Sequence, residues 1–503
     1  MSTRPRYHGP MSVKSLLDQA VRRRLLILLV LAALPRLWFA WFEHGVNHPD
    51  EIFQMLEPAH RFVYGFGIQS WEFRDGARSW FLPGIVALLW KALATLGLSD
   101  PLTVVPLLRM PFVALAVYSV YLASRLASKI AGERAGGLAA LLTAFTPLAL
   151  LLDFRCTTEA ASAPLLLLAL LAMIDGRMAR AGAWLALLVF LRPTNAILGL
   201  AAVAWLLLSG KFRDSGRLAF GALPVTLVGG LLDWITWGSP FHHLVEYIRF
   251  NWTESGAATF GVEGPWTYAR TLLVTAPSLA TLLLPATVGL IRKSREARAS
   301  LLVGWLYLIF LSTVSHKEPR FLLPILPLLS VLSAAGMVAL VGSWLGKRAA
   351  ARGVGVASWT VGVAAVFLFG FLYTPRLTYD DLRPSSSEGR GRVLFGERDA
   401  VNRLLAEAGR RPDLCGLLLL GVVPNELFSG GMTYLNRDVL LVSNPPSFEA
   451  WQYFAQAANY AIAPAVATPP AWQPVAQRGD AVLVSRPGGC IVVPEAARPR
   501  YGR

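Results

Sequence analysis

Residues 25–60 read LLILLVLAALPRLWFAWFEHGVNHPDEIFQMLEPAH. Leu25 to Phe42 is an almost unbroken apolar run, with Arg22-Arg23-Arg24 directly before it. About 20 apolar residues in a helix cross a ~30 Å hydrocarbon core. The basic triplet resembles the opening of a signal peptide. However, Pro35, Arg36 and the bulky stretch Trp38 to Phe42 offer no small-residue cleavage site. The run therefore reads as an uncleaved first span with its N-terminus inside, and the acids that follow it fall on the outer side.

The rest of the chain repeats this pattern. Of 503 residues, 54% are hydrophobic and 16% charged, against about 25% charged in an average soluble domain. Further apolar segments fall near 80–97, 102–124, 136–152, 158–174, 179–192, 193–209, 218–237, 269–291, 299–315, 321–346 and 354–374. The expectation is an all-α polytopic membrane protein with about 11–13 membrane helices. Aromatic residues make up 11%, including 16 Trp, which suits belts at the two membrane interfaces.

The net charge of +16 has a definite location. Six short stretches (1–24, 125–134, 175–180, 211–217, 292–298 and 347–352) hold 21 Lys and Arg against five acids, and the remaining chain carries 26 of each. The positive-inside bias puts these stretches in the cytoplasm, so the charge calls for no nucleic-acid partner. The loops 43–79, 238–268 and 316–320, and everything after 375, then share the outer side. One count disagrees. An outer 43–79 and an inner 125–134 need an odd number of crossings between them, yet two apolar segments intervene. Either 80–97, with Pro83 and Lys91, dips without crossing, or the chain from Pro101 folds as more than one piece.

The composition changes after Tyr373. Residues 376–395 read as a Pro/Ser/Gly-rich linker, and 396–503 as a small extracytoplasmic α/β domain. In it, Asp399–Arg410 shows helical spacing, and short apolar runs at 417–423, 439–442, 460–464, 481–484 and 491–493 look like strands. Cys415 and Cys490 both lie there. An oxidising compartment would allow them to pair, and inert thiols are the alternative.

Three polar clusters occupy the outer side. The first runs from His48-Pro49-Asp50-Glu51 through Gln54, Glu57 and His60 to Trp71-Glu72 and Arg78-Ser79. Carboxylates beside a membrane span are costly unless hydrated, paired or used. From these residues alone, helix capping from Asn47, with Asp50 and Glu51 at a helix start, is favoured over catalysis. The second is His316-Lys317-Glu318-Pro319-Arg320, whose cations suit a phosphate, although interfacial snorkelling by Lys317 and Arg320 is the plain alternative. The third, 238–268, mixes aromatics with amides, Tyr247 and Asn251 among them, as sugar contact or an ordinary aromatic belt would. His242 and His243, adjacent on a helix, do not face one way, and no metal site is expected. Glu159 and Arg192 are further charges at membrane level, readable as satisfied helix-end residues.

Taken together, these residues resemble glycosyltransferase family 22, the lipid-phosphomannose-dependent mannosyltransferases of dolichol-linked oligosaccharide and glycosylphosphatidylinositol synthesis. The resemblance rests on His48-Pro49-Asp50-Glu51, Gln54, Glu57, His60, Gly65, Trp71-Glu72, Arg78-Ser79 and Pro83. It continues through Asn251, Gly261 and Pro265-Trp266 to His316-Lys317-Glu318, Arg320-Phe321 and Pro324. Gly430-Gly431 with Tyr434 to Asp438 looks like bacterial members. Three features depart from the family pattern: Pro58 after Glu57, the shortened Arg155-Cys156-Thr157-Thr158-Glu159, and Pro319. The resemblance implies a GT-C fold over 25–375, a polyprenyl-phosphate mannose donor, a glycan or glycolipid acceptor, and an active site facing the periplasm or endoplasmic-reticulum lumen. It makes Asp50 the base with Glu51 second, and His48, Gln54, Glu57, Glu72 and Arg78 the acceptor-orienting residues. His316, Lys317 and Arg320 would meet the donor phosphate, with Tyr247, Asn251 and Glu318 lining the substrate. A donor that already carries its phosphate leaving group needs no divalent metal or other cofactor. A transporter or flippase of lipid-linked sugars is the competing class. It predicts repeated halves or paired broken helices, and neither is visible.

Overall fold

The computed structural model describes residues 13–46, 48–291, 295–344, 356–378, 393–424 and 428–494. Asn47, residues 1–12, and much of the linker and of the basic stretches at 292–298 and 347–352 lie outside these. The chain is mostly helical. The first outer loop separates α1 (Val13–Phe42) from the rest and contains α2 (Glu57–Tyr64) and α3 (Phe81–Thr95). Next come α4 (Pro101–Ala131), α5 (Glu133–Phe145), α6 (Thr158–Ile174), α7 (Met178–Leu191), α8 (Ala196–Leu208) and α9 (Phe212–Trp237). The second half holds α10 (Pro277–Ile291), α11 (Arg295–Thr313), α12 (Leu326–Trp344) and α13 (Val356–Tyr373). Among the described residues, three helical stretches, Arg23–Phe42, Pro101–Ala131 and Phe212–Trp237, have the length and hydropathy to cross a membrane alone. Shorter apolar helices pack among them. Leu26, Val30 and Leu34 on α1, and Leu227, Leu231 and Trp234 on α9, point outward, as lipid-facing side chains do.

The segment 80–97, whose crossing the charge count questions, forms α3. Its Trp90 ring packs against His60 at 5.4 Å and Tyr64 at 6.4 Å, both on α2. His60 Nε2 lies 3.0 Å from Asn436 Oδ1, while the Nδ2 of the same Asn436 donates to the Ser99 carbonyl at 2.9 Å, just past the end of α3. Asp100 pairs with Arg410 at 2.5 Å. The C-terminal end of α3 thus meets the C-terminal domain, while Phe81 at its start packs against Phe190 of α7 at 6.0 Å. The helix packs along α2, whereas α4 is a single 31-residue helix.

Buried charge inside the bundle is paired, as low dielectric requires. Arg36 of α1, fully enclosed, donates to Asp153 at 2.7 Å and to the carbonyls of Ala32 and Ala144.

The C-terminal domain packs α14 (Asp399–Gly409) on a five-stranded sheet: β1 (Gly416–Leu419), β2 (Leu440–Ser443), β3 (Tyr460–Pro464), β4 (Gln473–Arg478) and β5 (Ala481–Ser485). The order is β2-β1-β3-β5-β4, with β1 parallel to β2 and β3, and β5 antiparallel to β3 and β4. β4 carries Gln, Pro and Arg on an exposed edge, so its composition conceals it. Residues 491–493 form no strand: Ile491 donates its N–H to Gln456, and the neighbouring Cys490 is bonded to Cys415.

Candidate active site

Three X-Pro steps bring the outer charges together. The residue before a proline is pushed out of helical geometry. His48 (φ −140°, ψ 131°), Arg192 (φ −152°, ψ 115°) and Glu318 (φ −133°, ψ 141°) each stand extended before Pro49, Pro193 and Pro319, where a helix or helical turn begins. A fourth element starts conventionally: the Thr157 side chain accepts from the Ala160 N–H and caps α6, placing Glu159 in its first turn. These ends converge on the C-terminal-domain side of the bundle.

Arg320 is the centre of the cluster. It pairs with Asp50, Glu318 and Glu159, the last at 3.0 Å. Glu159 also pairs with Arg192, whose guanidinium lies 4.1 Å above the Phe321 ring centroid. His316 Nε2 is 3.0 Å from Glu318, and His48 Nδ1 is 3.6 Å from its other oxygen. Burial alone would raise the Glu318 carboxyl, but Arg320 and the histidines hold it well below its usual range. Asp50 keeps 21% of its side chain exposed, so it sits at the rim.

Glu51, one residue on, turns the other way. It is 1% exposed, accepts from Arg109 at 2.8 and 2.9 Å, from Arg155 at 2.6 Å and from the Cys156 N–H at 3.2 Å. Burial would push this carboxyl up, yet the two guanidiniums hold it at about 2. Glu43 completes this second network through Arg155 and joins it to the C-terminal domain through the Gly396 N–H at 3.2 Å.

The other sequence-based candidates divide between the two faces of this loop. Ile52–Leu56 forms a π-helical turn just before Pro58, whose missing N–H favours such a break. Within that turn Gln54 donates to Glu72 at 3.0 Å. Burial raises the Glu72 carboxyl, and the Asp50 charge adds to this against the pull of Arg78, 4.0 Å away. Arg78 lies 5.9 Å from the Tyr247 ring centroid, and its buried Nε has no hydrogen-bond partner. Asn251 braces this turn by donating to the Tyr247 carbonyl at 2.9 Å.

Glu57 lies apart. Its oxygens accept from the N–H groups of Ile68 at 2.9 Å and Thr433 at 2.6 Å, fastening the loop to the C-terminal domain, and burial raises it to about 7. Lys317 is also occupied: its ammonium donates to the Glu263 carbonyl at 3.0 Å and to that of Val314. His316 Nδ1 is 3.0 Å from the Gly261 carbonyl. These two residues therefore clamp the 256–266 loop, and Arg320 with Arg192 supplies the cationic edge. Glu159 and Arg192 belong to the cluster, although their sequence positions resemble ordinary helix ends. A rim carboxylate paired with one guanidinium of a two-arginine cluster, with a buried carboxyl and an arginine opposite, can take a proton from a hydroxyl while stabilising a phosphate.

The chain is similar to several known proteins in sequence and in fold. The sequence model of the Alg9-like mannosyltransferase family matches residues 26–379. Mannosyltransferase APTG1 of Arabidopsis thaliana is 29% identical over 310 residues, 57% of this chain and 54% of its own length. GPI mannosyltransferase 3 of Yarrowia lipolytica is 32% identical over 305 residues, 57% of each chain. The chain spans little more than half the length of these curated relatives. Among solved structures, ArnT from Cupriavidus metallidurans bound to undecaprenyl phosphate superimposes with a TM-score of 0.61 at 15% identity, covering 92% of this chain and 97% of that one. The archaeal oligosaccharyltransferase AglB from Archaeoglobus fulgidus gives 0.50 at 12% identity, covering 88% and 69%. The shared feature is the GT-C fold.

Proposed function

Because the chain belongs to the Alg9-like mannosyltransferase family, we propose that it is an inverting membrane mannosyltransferase. In this reading it moves mannose from a polyprenyl-phosphate carrier to a hydroxyl of a lipid-linked glycan. The observation that carries the reading is the Asp50–Arg320 pair at the rim of the site. Asp50 accepts the proton of the acceptor hydroxyl, whose oxygen forms the new bond to the anomeric carbon. The bond from that carbon to the phosphate oxygen breaks on the opposite face, and the lipid phosphate leaves with its electron pair. Arg320, drawn from its carboxylates, and Arg192 meet the developing charge. Glu72 and Arg78 orient the acceptor, while Glu51 serves as an anchor. The leaving phosphate carries its own charge partner in these arginines, so no divalent metal takes part.

The topology supports the same reading. With α3 lying flat, α1 and α4 to α13 make eleven passes. The described parts of the basic stretches, 13–24, 125–134, 175–180, 211–217 and 295–298, then fall on the face opposite the C-terminal domain, which the positive-inside bias makes cytoplasmic. The Cys415–Cys490 disulfide fits an oxidising compartment for that domain.

The test is to incubate purified full-length protein with a panel of polyprenyl-phosphate sugars and a lipid-linked glycan acceptor, with and without EDTA. Consumption of the mannose donor alone, unchanged by EDTA, is expected. Consumption of another sugar, or of none while the lipid itself crosses the bilayer, would overturn the reading.

A further inference from the structure

At the opposite ends of α7 and α9 from the site lies a groove of about 670 Å³, lined by Arg177, Arg180, Arg213, Arg217 and Phe220 among others. We propose that this groove binds an anionic phospholipid of the leaflet facing away from the C-terminal domain, holding its phosphate headgroup among the arginines. The two helices meet closely enough to build a single site. A Cβ on Gly182 would come within 1.9 Å of the Leu218 carbonyl, and one on Gly221 within 1.9 Å of the Ala179 carbonyl. Only glycine permits that approach.

The charge in the groove is largely uncommitted. Asp214 is shared by Lys211 at 3.9 Å and Arg217 at 3.4 Å, and Asp175 is taken by Lys129 at 2.6 Å. Among the described residues, Arg177, Arg180 and Arg213 have no carboxylate partner. Guanidiniums in this state suit phosphate oxygens, which they meet with paired N–H donors. Arginines on the inner side of a membrane protein are common, and by themselves they would mark only orientation.

Two observations point to a lipid in particular. The arginines line one open groove, and an apolar stripe leads away from it along α9. Phe220 is 73% exposed, and Leu223, Leu227 and Leu231 follow it at helical spacing, all outward-facing. A soluble phosphate has no use for such a stripe, whereas an acyl chain lies along it while its headgroup rests among the cations. Basic pockets between membrane helices bind anionic headgroups in this way.

The test needs no turnover, so its outcome is separate from that of the proposed reaction. Full-length protein is reconstituted in phosphatidylcholine nanodiscs containing phosphatidylglycerol, and retained lipid is read by native mass spectrometry after extraction. Wild type should retain phosphatidylglycerol over phosphatidylcholine by about tenfold or more. The R177Q/R180Q/R213Q variant should lose that preference, and R177K/R180K/R213K should keep part of it. A photoactivatable phosphatidylglycerol should label wild type within 176–220, which holds even if the Gln variant folds poorly. Equal retention by the folded Gln variant, labelling elsewhere, or displacement of the lipid by millimolar inorganic phosphate would overturn the proposal.

Discussion

Asp50 and Glu51 are adjacent carboxylates that enter two different charge networks. Glu51, Glu43, Arg109 and Arg155 form a closed set of two acids and two bases, every charged group sealed from solvent and each acid paired with an arginine. Asp50, Glu159 and Glu318 surround Arg320 and Arg192 in an open set with one carboxylate at the rim. A buried pair is strongly destabilising to break, because the partner left behind has no water to replace it. An open pair can exchange one partner for a ligand. The difference assigns stability to the first network and chemistry to the second.

The largest effect should come from breaking the closed set. Glu51→Gln leaves Arg109 and Arg155 short of one negative charge, which is worth about 3–5 kcal/mol of folding free energy. A large fall in Tm is expected, while the folded fraction keeps near-normal turnover. Unchanged Tm with abolished transfer would merge the two networks. Arg320→Ala attacks the open set and should lower kcat/KM by about 10²–10³. It should also cost some stability, since three carboxylates lose their shared partner. Wild-type turnover would return this arginine to a purely structural role.

The smallest effect sharpens the boundary between bundle and C-terminal domain. The folded value of Glu57, about 7, lies above the ordinary 4.5. Its contribution is therefore complete below pH 4.5 and is lost as pH rises through about 7. Tm should decline across that window, and Glu57→Gln should flatten the decline while lowering Tm throughout, because its amide cannot accept at both Ile68 and Thr433. A slope unchanged by the substitution would place the titration elsewhere.

The bundle was largely legible in the sequence because apolar length is a one-dimensional property. The same is true of the charge asymmetry, which exposed a parity conflict between 80–97 and the chain from Pro101 without deciding between them. The hydropathy of the helix Phe81–Thr95 is ordinary, and only the structure shows its packing against His60 and, beyond its end, the contact with Asn436. The first loop and the His316–Arg320 cluster were visible as charges beside apolar runs. What each charge faces was not visible: Asp50 and Glu51 share a helical turn, and one residue of rotation separates rim from interior. Lys317 looks like a phosphate ligand by type, yet the Glu263 carbonyl, 54 residues away in sequence, and that of nearby Val314 occupy it. Arg192 could have been found, since a charge directly before a proline recurs at His48, Glu318 and Arg192. β4 was missed because an exposed edge strand carries no apolar alternation.

The central claim is that Asp50 takes the acceptor's proton, and Asp50→Asn tests it most directly. Asn matches Asp in size and keeps an acceptor oxygen, and Glu159 and Glu318 still balance the Arg320 charge, so the fold survives the exchange and proton acceptance does not. Transfer of mannose from its lipid phosphate donor is measured alongside Tm in the same preparation. A fall in transfer of about 10² or more with Tm close to wild type is the predicted result. Transfer at the wild-type rate by the folded variant would contradict the account.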